Sequence, residues 1–225
     1  MKAKREYTQV NYCNTEKTVS ESVEVEQTNR IFEIIKRNNG YATTADMVKE
    51  DINPYYINSL KKAGKIVGVK RGVYRANEEG FDFNFDVSIV DVAKIVPDGV
   101  LCLSSALAYH GLTTYMPRVY EVAIERDKKI VLPEYPPIKL VYFSKNTFET
   151  GIETKYIGGH PFRVYDLEKT VIDCLRYREK IGKDIVKETL ENYFGRNDRK
   201  LDVLQKYAKI CRVQKILNTY MEVLI

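Results

Sequence analysis

The stretch NPYYINSLKKAGKIVGVKRGVYRA, residues 53–76, decides how the first third of this chain is read. Asn53 followed by Pro54 predicts a helix start. The asparagine side chain accepts from a free N–H of the first turn, and proline's fixed φ and missing N–H cost nothing there. Ala63-Gly64 predicts the end, because glycine enters the left-handed cap conformation without strain. With Ile57 and Leu60 turned inward, Tyr55, Asn58, Ser59 and Lys62 face out. KIVGV and GVYRA are short β-prone runs joined by a tight basic turn, Lys70-Arg71-Gly72. A cationic helix leads straight into a cationic hairpin.

Upstream, Ile31, Ile34, Ile35 and Asn38 share one helical stripe that stops at Asn39-Gly40. TTADMVKED then predicts a short helix capped by Thr43 or Thr44, with Ala45, Met47 and Val48 as its apolar residues. Helix, helix, helix and hairpin within fifty residues is the order of a winged helix-turn-helix. Residues 1–27 mix charge with Ser and Thr and read as an N-terminal tail, with VSESVEVEQ a weak edge-strand alternative.

Charge follows the same division. Residues 28–76 hold ten Lys/Arg against four Asp/Glu, whereas 1–27 hold four against five and 77–225 hold 22 of each. The net charge of +5 is therefore confined to one block, the footprint of a local polyanion-binding module. The outward face of the third helix offers donors for base edges in a major groove. The hairpin tip offers charge to the phosphate backbone. The DNA-contacting set expected on these grounds is Thr43, Thr44, Tyr55, Asn58, Ser59, Lys62, Lys70 and Arg71.

Phe81, Phe83, Phe85 and Val87 alternate like a strand or linker and mark the junction to a second domain, residues 77–225. There Ser88 caps a helix ending before Pro97, and SSALAYHGL is helical with Gly111 as its cap. VYEVAIE, KIVL, IKLVYF, ETKYIG and PFRVYD read as strands, the last two joined by a Gly158-Gly159-His160 turn. From Asp166 to the end the chain reads as helices. Strands in a block followed by helices in a block predict an α+β protein: an N-terminal winged helix, then a mixed antiparallel-sheet and helical domain.

Chemistry is hard to place in that domain. Cys102 and His110 are about two helical turns apart, too far for a nucleophile–base pair, so His110 reads as a structural residue near a helix end. Asp82, Asn84 and Asp86 imitate a calcium loop, but Val87 and Ala93 stand where glycine and glutamate are required. Asp166 reads as a helix cap with Glu168 and Lys169 on the solvated face, and Asp173 as a buried acid paired with His110 or an arginine. No phosphate-binding glycine motif occurs. Four cysteines without a C-x-x-C and two histidines predict reduced thiols and no zinc site. The expectation is no catalytic residue, no metal and no cofactor. No apolar run approaches a membrane span, and no signal peptide opens the chain, so a cytoplasmic protein without membrane contact is expected.

Three segments together resemble one family, the AbiEi-type antitoxins of bacterial abortive-infection (type IV toxin–antitoxin) systems. GYATTADMVKEDINPYYINSLKKAGKIVGVKRGVYR resembles its winged helix, with Gly64, Ile66, Arg71, Gly72 and Tyr74 on the wing pattern. VPDGVLCLSSALAYHGLTTYMP and FRVYDLEKTVIDCLRYREKIG resemble its two C-terminal signature blocks. The resemblance spans roughly residues 28–225. It implies a phage-defence antitoxin that also represses its own operon by binding inverted repeats in promoter DNA. It further implies a nucleotidyltransferase-type toxin as the protein it counteracts, by contact or by opposing its effect. Two other classes stand beside this reading. One is a ligand-responsive transcriptional regulator, which would need a pocket in the larger domain. The other is a DNA-tethered enzyme, which would need clustered acids on its sheet.

Overall fold

The computed structural model describes residues 7–77 and 85–224, with side chains over 22–77 and 88–222. The alternating Phe81–Phe83 stretch and the calcium-like Asp82 and Asn84 lie outside the described residues. The chain divides into two compact units, Met1–Asp82 and Phe83–Ile225.

In the first unit, α1 (Tyr7–Arg37) is followed by β1 (Tyr41–Thr43), α2 (Thr44–Lys49), α3 (Pro54–Lys62), β2 (Ile66–Lys70) and β3 (Val73–Ala76). The strands form an antiparallel sheet in the order β1-β3-β2. Ile31, Ile34 and Ile35 of α1 meet Met47, Ile57, Leu60 and Ile66 in one buried cluster. The stripe read from the sequence is thus the side of α1 that packs. Asn39 and Gly40, at φ 57° and 90°, end the helix. Of the three apolar residues expected on α2 only Met47 is buried; Val48 is 53% exposed and Ala45 is exposed.

Two expectations need correction here. The segment read as a loose tail is helical from Tyr7 onward. Nucleating a helix is the costly step, and the packed turns at Ile31–Ile35 supply the nucleus. Each further residue then adds one hydrogen bond, and the segment contains neither Gly nor Pro to stop it. The short strand β1, pairing Thr43 with Val73 and Tyr41 with Arg75, was not foreseen; its partner lies about thirty residues away.

The second unit runs α4 (Phe85–Ile95), β4 (Val100–Leu101), α5 (Leu103–Tyr109), β5 (Tyr120–Glu125), β6 (Ile138–Phe143), α6 (Lys145–Glu149), β7 (Ile152–Ile157) and β8 (His160–Tyr165). Helices α7 (Leu167–Arg176), α8 (Arg178–Ile181), α9 (Lys183–Phe194), α10 (Leu201–Ile210) and α11 (Gln214–Leu224) complete it. The sheet order is β6-β5-β4-β8-β7, with β4 parallel to β8, β5 parallel to β6, and the other pairs antiparallel. The protein is α+β, as expected. Gly158 and Gly159, at φ 55° and 80°, make the β7–β8 turn. KIVL forms no strand, and its Val131 is 96% exposed. Ser88 does not cap α4 but sits buried inside it, because the helix begins at Phe85.

Helix α7 is central. It packs against α5, α9, α10 and α11, and eight consecutive residues, Glu168 to Leu175, are buried. Leu107, Val171, Leu175, Leu190, Leu204 and Leu217 belong to the core it organises.

Candidate nucleic-acid interface

The candidate interface begins with a cap. Thr43 ends β1 and opens α2: its Oγ1 accepts from Asp46 N at 3.1 Å and donates to Asp46 Oδ2 at 2.6 Å, and Thr43 N donates to the same carboxylate at 2.9 Å. This reciprocal capping box satisfies donors that the first helical turn leaves open. The next residue, Thr44, donates its N–H to Gly72 O at 2.9 Å. Gly72 adopts φ 74°, and a Cβ there would stand 3.3 Å from Thr44 Oγ1. The turn between β2 and β3 is therefore tied to the start of α2, and glycine is needed for the conformation and for the fit.

The Thr43 hydrogen bonds hold the Asp46 carboxyl below its ordinary range. An acid whose folded pKa is depressed contributes its full stabilisation above the unfolded pKa and loses it as the pH falls through the folded one. Thr43→Ala should cost about 1 kcal/mol in thermal or urea unfolding at pH 7. The difference between variant and wild type should shrink as the pH falls below about 4. A constant difference down to pH 3 would show that the ionised Asp46 carboxylate adds nothing to the cap.

Helix α3 starts as its sequence predicts: Asn53 Oδ1 accepts from Tyr55 N at 2.9 Å, and Pro54 is the first helical residue. Ile57 and Leu60 are buried. Tyr55 is 67% exposed, Asn58 and Lys62 are exposed, and Ser59 is half-buried. Positions 55, 58, 59 and 62 lie along one stripe of the helix. Lys70 and Arg71 are exposed at the hairpin turn. Lys61, which the sequence reading did not single out, lays its side chain beside Gly68 of β2, with Nζ 3.5 Å from where a Cβ would be. Thr44 and Thr43 are both half-buried, and the hydroxyl of Thr43 is used within the capping box as donor and acceptor.

The side chains weighed for chemistry in the second unit take structural places. Asp166 caps α7, accepting from Lys169 N at 2.7 Å, as expected. Glu168 and Lys169 do not face solvent: they are 4% and 0% exposed, because α7 is covered on all sides. Asp173 is buried, but its partner is Lys169, with Nζ 2.5 Å from Oδ2, and not His110 or an arginine. His110 sits at the C-terminal cap of α5 and donates Nε2–H to Tyr165 O at 2.7 Å. Cys102 is fully buried, and burial, with Asp173 and Glu121 nearby, pushes its thiol well above the ordinary value. A thiol held protonated in this way is a poor nucleophile. Among the described residues no three His, Cys, Asp or Glu side chains gather as a metal site would need.

Residues 29–77 match the family model described as a transcriptional regulator, AbiEi antitoxin. No curated protein sequence matches the chain. Among solved structures, the crystal structure of the RV2827C protein from Mycobacterium tuberculosis is similar in fold. Its TM-score is 0.53 at 11% identity, over 84% of this chain and 77% of that one. No helix among the described residues is long and apolar enough to cross a membrane.

Proposed function

We infer, from the match of residues 29–77 to the AbiEi antitoxin transcriptional-regulator family, a promoter-binding autorepressor that also counteracts a toxin. The regulator assignment is the family's; the DNA-reading surface and the toxin's type are the proposal. The observation that carries it is the exposed stripe on α3 beside a basic turn, both within the block that holds the chain's excess positive charge. The first unit acts as a winged helix. Tyr55, Asn58 and Ser59 reach base edges in the major groove, and Thr44, Lys62, Lys70 and Arg71 hold the phosphates. Thr43 serves as the positioning residue that fixes α2 beside the wing. Inverted repeats in the operon's own promoter are the DNA target, and a nucleotidyltransferase-type toxin is the protein opposed. The protein itself turns over no substrate.

The test separates charge from sequence reading. Lys62→Ala, Lys70→Ala and Arg71→Ala should each weaken binding to operator and unrelated DNA alike. Each should also reduce the slope of log K against log salt by about 0.9. Asn58→Ala should keep the slope and relax base preference, with about 1–3 kcal/mol of discrimination lost. Wild-type salt slopes in all three basic variants would remove this surface as the DNA reader.

A further inference from the structure

The second unit contains an open cleft of about 660 Å3 that the regulatory reading does not use. Small-molecule sites fall in this size range and combine aromatic or apolar walls with a few convergent polar groups. Tyr109 and Tyr207 supply rings, and Leu167 and Val203 supply apolar wall. The charged lining carries both signs. The acids are Glu153, Asp166, Glu168 and Asp198, and the cations are Lys155, Arg196 and Lys200, an excess of one negative charge. His110 adds no charge, because burial favours its neutral form.

Polarity is graded from rim to floor. The rim ions are already paired: Glu153 with Lys155 at 2.7 Å, and Arg196 with Asp198 through two bonds of 2.8 Å. Farther in stand acceptors. Asp166 receives the Tyr207 hydroxyl at 2.9 Å, and the largely buried Glu168 receives Lys200 N at 2.9 Å. With His110 Nε2–H given to Tyr165 O, the other ring nitrogen of the neutral imidazole is an acceptor too. Burial raises the Asp166 carboxyl, and the neighbouring Glu168 and Glu153 add to the effect, so a cation placed there relieves an existing repulsion. Among the described residues the Lys200 ammonium makes no ion pair.

We propose that this cleft binds a basic amino acid, a small zwitterion with a second positive group. Two positive groups and one carboxylate give the ligand the +1 that complements the cleft. Its carboxylate is taken by Lys200. Its cationic groups are taken by the acceptors around Asp166 and Glu168 and by the tyrosine rings. The site is independent of the DNA-binding surface, so either reading survives failure of the other.

Isothermal titration of the full-length protein tests it. L-Arginine should bind saturably at one site. Agmatine, which lacks the carboxylate, and 5-guanidinopentanoate, which lacks the α-ammonium, should each bind about tenfold more weakly or worse, the loss of one charge-assisted bond. Lys200→Ala keeps the backbone N–H that Glu168 accepts and changes only an exposed side chain. It should weaken L-arginine about tenfold and leave agmatine unchanged. Absence of binding by both L-arginine and L-lysine overturns the proposal. So does agmatine binding as tightly as L-arginine, or a Lys200→Ala variant that binds L-arginine as the wild type does.

Discussion

Replacing Lys169 by methionine should lower the stability of the second unit by about 3–5 kcal/mol. That is a large share of the ~5–15 kcal/mol that holds a domain together. The side chain is wholly buried, with Nζ 2.5 Å from Asp173 Oδ2, 4.1 Å from the centre of the Tyr165 ring and 4.9 Å from that of Phe143. Methionine keeps much of the volume but leaves Asp173 buried without its cation. The other carboxylate oxygen, Oδ1, has no hydrogen-bond partner among the described residues, so the Arg176 charge is the remaining pull toward the ionised form. Burial already pushes the Asp173 carboxyl up against the pull of Lys169 and, less, of Arg176; without the lysine the upward push grows. An acid whose folded pKa is raised is most stabilising when protonated and loses that stability as the pH rises through the folded value. The Lys169→Met variant should therefore regain stability as the pH is lowered. Adding Asp173→Leu should restore the wild-type value or exceed it by about 1–4 kcal/mol, since two buried charges are then replaced by apolar groups. Urea unfolding followed by circular dichroism reads all three. A single variant within 1 kcal/mol of wild type would show that the pair is hydrated and not in the core.

The second expected result has the largest effect on function and rests on a proposed division of labour, DNA binding by the first unit and toxin antagonism by the second. A chain beginning at Phe83 should fold, lose operator binding and still protect cells from the toxin. The boundary is that of the two compact units. The 143 residues that remain hold the sheet and the helical core around α7, a size at which one core suffices, and lack the ten Lys/Arg of residues 28–76. Removing the phosphate-contacting charge should lower affinity by several powers of ten at physiological salt, beyond detection in a mobility shift. Growth rescue is to be scored with the toxin expressed from an unrelated promoter, so that repression plays no part. A folded, well-expressed truncation that fails to rescue would place toxin antagonism partly in the first unit.

Local signals were readable wherever one residue type has one physical use. Asn53-Pro54 opens α3, the Asn39-Gly40 pair ends α1, and Gly158-Gly159 turns β7 into β8, all as read. Periodicity placed Ile31, Ile34 and Ile35 inward without error. What escaped depends on distant partners. Strand β1 has no alternating pattern of its own and exists because β3 accepts it. Glu168 and Lys169 look solvated because they are charged, yet α7 is surrounded by four helices and the pair Lys169–Asp173 goes inside. The cleft joins Tyr109 to Tyr207, nearly a hundred residues apart, and no spacing rule connects them. On the proposed interface, exposure of Tyr55, Asn58 and Lys62 follows from the helix period, whereas the engagement of Thr43 in a capping box needed Asp46 three residues on as its signal.

The position of β4 also sets an order of events during synthesis. Its two residues lie in the middle of the sheet, and Leu101 pairs with Val164, sixty-three residues later. The first unit, whose last strand ends at Ala76, is built largely from neighbours in sequence and can close as soon as it clears the ribosome. The sheet of the second cannot close its centre until β8 has been made. At about 5–20 residues per second the ribosome needs roughly 3–13 s to go from residue 101, the end of β4, to residue 165. For that interval each nascent chain carries a finished first unit and a central strand still waiting for its parallel neighbour.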